Sequence, residues 1–371
     1  MIRALGLMSG TSLDGIDAAI IETDGEGAVR AGASLAVPYK PEERLLLRLA
    51  LEAAKSWEPD EPMPEEVAEA ERHLTLANAL AVRALLAEAG LKPADISVIG
   101  FHGQTVLHQP ERRRTVQIGL GDVLARLTGI DVVNDFRSAD VAAGGHGAPL
   151  VPLYHQALAG STGIVEPVAI INIGGVGNIT YISPDGPLLA FDTGPGNALI
   201  DDWAHEHTGE PVDRDGALAA GGDVDMDVLE RLMAHEFFDA APPKSLDRFS
   251  FSPEAVRHLS PPDGAATLTA FTVEAIARGF AHIPGVPSRF VVCGGGRHNP
   301  VLMAMLSKRL QGGVLPAEDL GWRGDDVEAE AFAYLAVRSL RGLPLSLPTT
   351  TGVPKPMPGG TIHRAGSIAD D

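Results

Sequence analysis

Two short glycine-rich segments, far apart in the chain, read alike, and each falls between two apolar stretches with strand character. The first is Leu5-Gly6-Leu7-Met8-Ser9-Gly10-Thr11-Ser12-Leu13-Asp14-Gly15-Ile16-Asp17, which runs into an apolar stretch from Ala18 to Ile21. The second is Ile170-Ile171-Asn172-Ile173-Gly174-Gly175-Val176-Gly177-Asn178-Ile179-Thr180, followed by Tyr181 and Ile182. Each predicts a tight turn joining two strands. Glycines let a backbone turn sharply and present its N–H groups to an anion, because no Cβ blocks close approach. Two such loops point to two halves gripping one polyphosphate from opposite sides, the plan of a nucleotide clamp. A chain of 371 residues is long enough for the two separate cores this requires. It holds no G-x-x-x-x-G-K-[ST] run, so a P-loop is excluded as the phosphate cradle.

The elements around the loops repeat a plan. Strands are predicted over 2–8, 17–22 and 29–37, then helices over 42–55, opened by Pro41, and about 64–89, ended by Gly90. Buried strands over 96–100 and 130–134 each end in a polar cluster, with a helix over 121–128 before the second. A second unit begins near Ala139. It has a hairpin over 168–173 and 179–182, a strand over 187–191 and a helix over 197–208. An amphipathic helix over 265–281, a buried strand over 290–293 and a last long helix over 327–340 complete it. The expectation is an α/β chain of two domains, 1–137 and 138–344, with partly parallel sheets flanked by helices. The tail 345–371, rich in Pro, Gly and Thr, is expected to lie back on the first domain. In such sheets functional groups gather at the carboxyl ends of the strands.

A net charge of −20 argues against nucleic acid, since a polyanion needs a basic surface to release its counterions. The single cysteine, Cys293, excludes an intramolecular disulfide framework and fits a reducing compartment. Asp14 and Asp17 interrupt the N-terminus before any secretory apolar run develops, and no stretch of about 18 apolar residues appears elsewhere. The chain therefore reads as cytoplasmic, with no membrane partner. His205 and His207 stand two apart on a helix and face different ways, and neither H-E-x-x-H nor C-x-x-C occurs, which argues against a zinc site.

Several residues stand where chemistry is done. Ser9, Thr11 and Ser12 add hydroxyls to the first loop, whose plainer reading is a hairpin. Asp192 is read as following a strand and preceding Thr193-Gly194-Pro195-Gly196-Asn197, a loop entering a helix. It is either a general base or the N-cap of that helix. The run Gly194 to Leu199 misses the dinucleotide fingerprint at its third glycine. Gly294-Gly295-Gly296, between a strand and a helix, permits close approach by a flat adenine or by packed chain. His102, Gln104, Asp135 and Arg137 make a donor and acceptor cluster suited to a polyhydroxylated ligand, unless Asp135 and Arg137 simply pair. Glu328 reads by itself as a solvated helix residue.

Taken together, the first glycine motif, Phe101-His102-Gly103-Gln104-Thr105, Asn134-Asp135-Phe136-Arg137, Asn172 to Asn178, Phe191 to Asn197 and Cys293 to Gly296 resemble the anhydro-N-acetylmuramic acid kinases. The likeness runs in order from Leu5 to about Leu340. It implies two ribonuclease-H-like domains of the actin-like ATPase and sugar-kinase superfamily, with an interdomain nucleotide cleft. It implies a reaction in which water opens the 1,6-anhydro ring while O6 takes the γ-phosphate of ATP, with Mg²⁺ as cofactor. The product would be N-acetylmuramate 6-phosphate, in cell-wall recycling. The family's ATP motif falls on Gly10, Thr11, Ser12, Leu13, Asp14, Gly15, Ile16 and Asp17. Gly174, Gly175, Gly177 and Asn178 form the second phosphate loop, and Gly294, Gly295 and Gly296 would lie against adenosine. The catalytic aspartate falls on Asp192, and sugar contacts on Gln104, Arg137 and Glu328. A homodimer is also implied. Where many superfamily members carry a metal-holding aspartate after the first strand, this chain has Met8-Ser9, so the magnesium ligands stay unassigned. The competing reading is an ATP-binding switch or sensor on the same fold; a dinucleotide oxidoreductase fits less well.

Overall fold

The computed structural model describes every residue except Thr11, Pro59, Asp185, 247–249 and 367–371. It is a mixed α/β chain with two main sheets and one two-stranded ribbon, Gln104–Gln109 with Arg114–Ile118.

In the first sheet Ile2–Met8, Gly15–Thr23 and Val29–Pro38 form an antiparallel meander. Val98–Phe101 joins Ile2–Met8 in parallel, and Val132–Asn134 joins Val98–Phe101 in parallel. The second sheet repeats this order. Val168–Ile173, Val176–Ile182 and Leu189–Pro195 form the meander, and Arg289–Cys293 and Val314–Pro316 add in parallel on the other side of Val168–Ile173. The duplication expected from element order is present in five strands of each sheet, including Val314–Pro316, which the sequence reading did not place; the first sheet carries a sixth strand. Central strands with both faces covered should be apolar throughout rather than alternating. Val168, Ala169, Ile170, Ile171 and Ile173 are all fully buried.

The chain forms two compact units, Met1–Gly163 with Asp326–Asp371, and Ile164–Asp325. These divisions differ from those expected after 137 and 344. The Val327–Leu340 helix lies directly on the first sheet, over Gly6 and Gly100, which are paired neighbours. A Cβ at Gly6 would stand 1.7 Å from the Ala329 carbonyl oxygen, and one at Gly100 2.0 Å from that of Phe332. Only glycine admits so close a helix. The Pro152–Ser161 helix joins the same unit through Tyr154, whose hydroxyl donates to the buried Glu330 carboxyl at 2.6 Å. The tail returns as well: Thr361–His363 pairs antiparallel with Val132–Asn134, and Thr351 donates to buried Asp140 at 2.6 Å.

Each unit has its own core. In the first, Leu5, Leu7 and Ile99 of the sheet meet Leu74, Val82 and Leu85 of the Glu65–Glu88 helix. In the second, Ile171 and Ile173 meet Trp203, Phe238, Leu268 and Phe271. No helix of the described residues is long and apolar enough to cross a membrane.

Candidate active-site residues

In the first unit the strands end at Met8 and resume at Gly15, so the described residues between them lie in the hairpin loop. The loop is braced internally: Leu13 N–H donates to the Gly10 carbonyl at 3.2 Å, and Ser12 Oγ donates to Asp14 at 2.7 Å. Leu13 takes a left-handed conformation, φ 55°, with its side chain buried. Ser9 Oγ donates to Gln104 Oε1 at 2.6 Å and lies 2.7 Å from the Tyr39 hydroxyl. Thr11 lies outside the described residues.

The Phe101 to Arg137 cluster is organised by His102. Its Nδ1 lies 2.8 Å from the Gly103 carbonyl oxygen, which can only accept, so Nδ1 carries the proton. Nε2 then accepts from Arg137 Nε at 3.2 Å and Nη2 at 3.1 Å. Burial, with the Arg137 guanidinium alongside, lowers the His102 pKa to about 3 and keeps the ring neutral. Arg137 Nη1 donates to the Gly147 carbonyl at 2.7 Å, and Phe332 packs beside both His102 and the guanidinium. The guanidinium therefore turns to His102 and Gly147. Asp135, at φ 52°, instead accepts from Ser138 N–H at 3.4 Å. Glu328 is half-buried in the first turn of the Val327–Leu340 helix, two residues before fully buried Glu330.

In the second unit Gly174 and Gly175 make the turn between Val168–Ile173 and Val176–Ile182. The carbonyls of this turn are held by the segment after the third strand: Gly196 N–H donates to Gly175 at 2.9 Å and Asn197 N–H to Gly174 at 2.7 Å. Asp192 differs from its expected place. It lies within the strand Leu189–Pro195, opposite Asn178, with a register shift between Asp192 and Gly194. Pro195 is tolerated because this strand is the edge of its sheet. The N-cap reading falls with this correction, since Asn197 occupies the cap position of Ala198–Thr208. Asp192 is 8% exposed, its Oδ2 accepts from Leu246 N–H at 2.8 Å, and its own N–H donates to the Lys244 carbonyl at 3.0 Å.

The last glycine run divides by cause. A Cβ at Gly294 would meet Asn172 Oδ1 at 2.6 Å, and one at Gly296 would meet Ile173 Cγ2 at 2.4 Å, so close chain packing requires both. Gly295 is exposed and its nearest neighbour would be 3.6 Å away. Gly10, Gly174 and Gly175 are likewise uncrowded, with nearest atoms at 3.5, 3.8 and 3.8 Å. None of these four has a positive φ. Packing among the described residues does not account for glycine at these four positions.

Sequence reasoning missed Tyr39, Arg297, Tyr154 and Glu330. Arg297 is 8% exposed; its Nη1 and Nη2 donate to the two oxygens of Asp325, both at 2.7 Å, its Nε donates to Glu318, and Nη1 also reaches the Gly294 carbonyl. It locks the turn carrying Gly295. Its place directly after three glycines was the one available signal. Among the described residues no group of three or more His, Cys, Asp or Glu side chains is arranged to hold a metal ion.

The family model described as anhydro-N-acetylmuramic acid kinase matches residues 2–365. The anhydro-N-acetylmuramic acid kinase of Rhizorhabdus wittichii is 54% identical over 362 residues, covering 97% of this chain and 98% of that protein. That of Paramagnetospirillum magneticum is 54% identical over 97% of this chain and 99% of its own length. The Nitrobacter winogradskyi protein of the same name is 52% identical over 98% of this chain and its own full length. Matches of this extent, at this identity, leave no segment that carries a motif outside the alignment, and the chain belongs to the anhydro-N-acetylmuramic acid kinase family.

Proposed function

We infer that this chain is an ATP-dependent kinase that opens the anhydro ring of 1,6-anhydro-N-acetylmuramic acid and phosphorylates O6, giving N-acetylmuramate 6-phosphate and ADP. Within the family assignment, the observation that carries the reading is Asp192: a carboxylate on a buried strand, oriented by a backbone N–H, on the strand that pairs with the one leaving the Gly174-Gly175 turn. In the proposed reaction Asp192 takes a proton from water as the water's oxygen bonds to C1. The C1–O6 bond breaks, O6 attacks the γ-phosphorus, and ADP departs. The water oxygen ends on C1 with one proton, its other proton leaves through Asp192 to solvent, and the phosphoryl group ends on O6, so the atoms balance. Releasing O6 at the position of the phosphoryl acceptor turns the second step into one of positioning and charge neutralisation.

Residues 9–14 and the Gly174-Gly175 turn are assigned to the phosphates, and Gly295, on the turn held by Arg297, to the adenosine. Arg137 and Glu328, both half-buried, are assigned to the sugar. Gln104 is fully buried and already bonded to Ser9, which suits that role less well. Mg²⁺ would supply charge neutralisation at the phosphates. With Met8-Ser9 after the first strand and, among the described residues, no three-residue acidic or histidine cluster, no side chain is assigned to it; such an ion is commonly held by phosphates, waters and one or two carboxylates. A cytoplasmic homodimer completes the proposal, and light scattering on purified protein tests the dimer.

The deciding experiment is ADP release with Mg²⁺-ATP and the anhydro sugar, against N-acetylmuramate and N-acetylglucosamine, in ¹⁸O-water. Turnover confined to the anhydro sugar, with one ¹⁸O at C1 of the product, is expected. Turnover on an ordinary hexosamine would keep the kinase and remove the hydrolytic role.

A further inference from the structure

The loop of residues 9–14 is gripped at both ends by one residue. Tyr39 follows directly on the third strand of the first sheet, whose register sets Pro38 against Gly15. Its backbone N–H donates to the Asp14 carbonyl at 2.9 Å, at the end of the loop, while its hydroxyl lies 2.7 Å from Ser9 Oγ at the start. Gly15 makes the approach possible, since a Cβ there would stand 2.5 Å from the Val37 carbonyl oxygen.

Proton counting fixes the direction of the side-chain bonds. Gln104 Nε2 faces the Thr105 carbonyl oxygen at 3.4 Å, so Oε1 is the end turned to Ser9. A serine hydroxyl has one hydrogen, and Ser9 gives it to Gln104 Oε1 at 2.6 Å. Tyr39 must therefore donate to Ser9. Burial pushes the Tyr39 hydroxyl well above its ordinary pKa, so that proton is always present. The chain Tyr39 to Ser9 to Gln104 is buried throughout, at 6%, 3% and 0% exposure, where an unmade bond is costly.

We propose that Tyr39 and Gln104 are positioning residues for the phosphate loop, and that Gln104 serves it as an acceptor from Ser9 rather than serving the sugar as a donor. The proposal rests on the assignment of that loop to ATP. A sugar ligand would use the amide N–H groups of Gln104; the structure uses its oxygen. Replacing the amide should therefore loosen the loop and leave the sugar alone.

The test is calorimetric titration of the whole chain with Mg²⁺-adenylyl imidodiphosphate and, separately, with 1,6-anhydro-N-acetylmuramic acid. Gln104→Met, Ser9→Ala and the double variant are compared with wild type, with thermal melts to establish folding. Each single change should weaken nucleotide binding about three- to tenfold, the weight of one neutral hydrogen bond. Sugar affinity should stay within about twofold, and the double variant should lose no more than the worse single, since both remove one contact. Ser9→Ala deletes a single atom and keeps the test open should Gln104→Met fold poorly. Weakened sugar binding with unchanged nucleotide binding would overturn the proposal, as would additive losses or no loss at all. Wild type that binds nucleotide but no sugar would instead overturn the proposed substrate, with the nucleotide titrations still deciding the positioning role.

Discussion

Gly6 and Gly10 lie four residues apart in one motif, and the same methyl group added to each should have opposite consequences. At Gly6 the new Cβ would fall 1.7 Å from the Ala329 carbonyl oxygen and 2.7 Å from the Ala333 amide nitrogen. These two atoms are the i and i+4 partners of one turn of the Val327–Leu340 helix, so the methyl would wedge into that hydrogen bond. Both neighbours are backbone and cannot swing aside. Restoring an ordinary contact of about 3.5 Å requires the helix to retreat by nearly 2 Å. The cost should reach the top of the roughly 1–3 kcal/mol seen for overpacked cores. At roughly 2–4 °C per kcal/mol for a unit of this size, Gly6→Ala should lower the melting temperature by about 6–12 °C. At Gly10 the nearest atom would be Ser12 Oγ at 3.5 Å and φ is not positive. Gly10→Ala should melt at or slightly above the wild-type temperature, since restricting the unfolded chain contributes about 0.4–1 kcal/mol. Its methyl would stand where the proposed phosphate approaches, and nucleotide affinity should fall about tenfold, or 1.4 kcal/mol. Thermal melts and nucleotide titration of the two variants make the assay. A Gly6→Ala protein as stable as wild type would refute the packing argument, and a Gly10→Ala protein with undiminished affinity would refute the ligand argument.

Three further outcomes are expected. Asp192→Asn keeps an oxygen for Leu246 N–H but removes the base, so kcat should fall about 10²–10⁴-fold with nucleotide affinity little changed; activity within about tenfold of wild type would remove Asp192 from the reaction. Burial holds His102 and His155 at a pKa of about 3, below the ordinary 6.5, so the unfolded chain takes up protons that the folded one refuses. Stability from these two is complete above pH 6.5 and is lost as pH falls toward 3, by up to about 1.4 kcal/mol per pH unit for each; urea midpoints that stay level between pH 7.5 and 5.5 would contradict this. Asp325 is held below its ordinary 3.8 by hydrogen bonds from Arg297, so their contribution is present above that pH and fades as pH falls through the lowered value. Arg297→Met should destabilise at pH 7, and its gap to wild type should narrow below about pH 4 in the same urea series; a gap that stays constant with pH would mean the ion pair contributes nothing.

The structure rearranged some expectations for identifiable reasons. Gly194 and Pro195 read in sequence as a loop that leaves Asp192 past the strand's end. An edge strand needs no N–H from its proline, so pairing runs on to Pro195 and encloses Asp192. The last helix follows the second unit in the chain yet belongs to the first. Its surface is cut to fit Gly6 and Gly100, some 230 to 330 positions earlier, and no local pattern records that fit.

By itself the sequence determined the parts whose physics is local. Paired glycine loops, apolar strands, helix boundaries near proline and glycine, and the carboxylate at position 192 all follow from neighbours within a few residues. Tertiary structure alone decided which glycines are crowded by neighbouring chain and which are not, because a crowded and an open Cβ position look identical in sequence. It alone joined Ser9 to Tyr39 and Gln104, 30 and 95 residues apart, and Tyr154 to Glu330, 176 apart. Those bonds form where the fold removes water from groups that must then find each other, and distance along the chain carries no trace of that requirement.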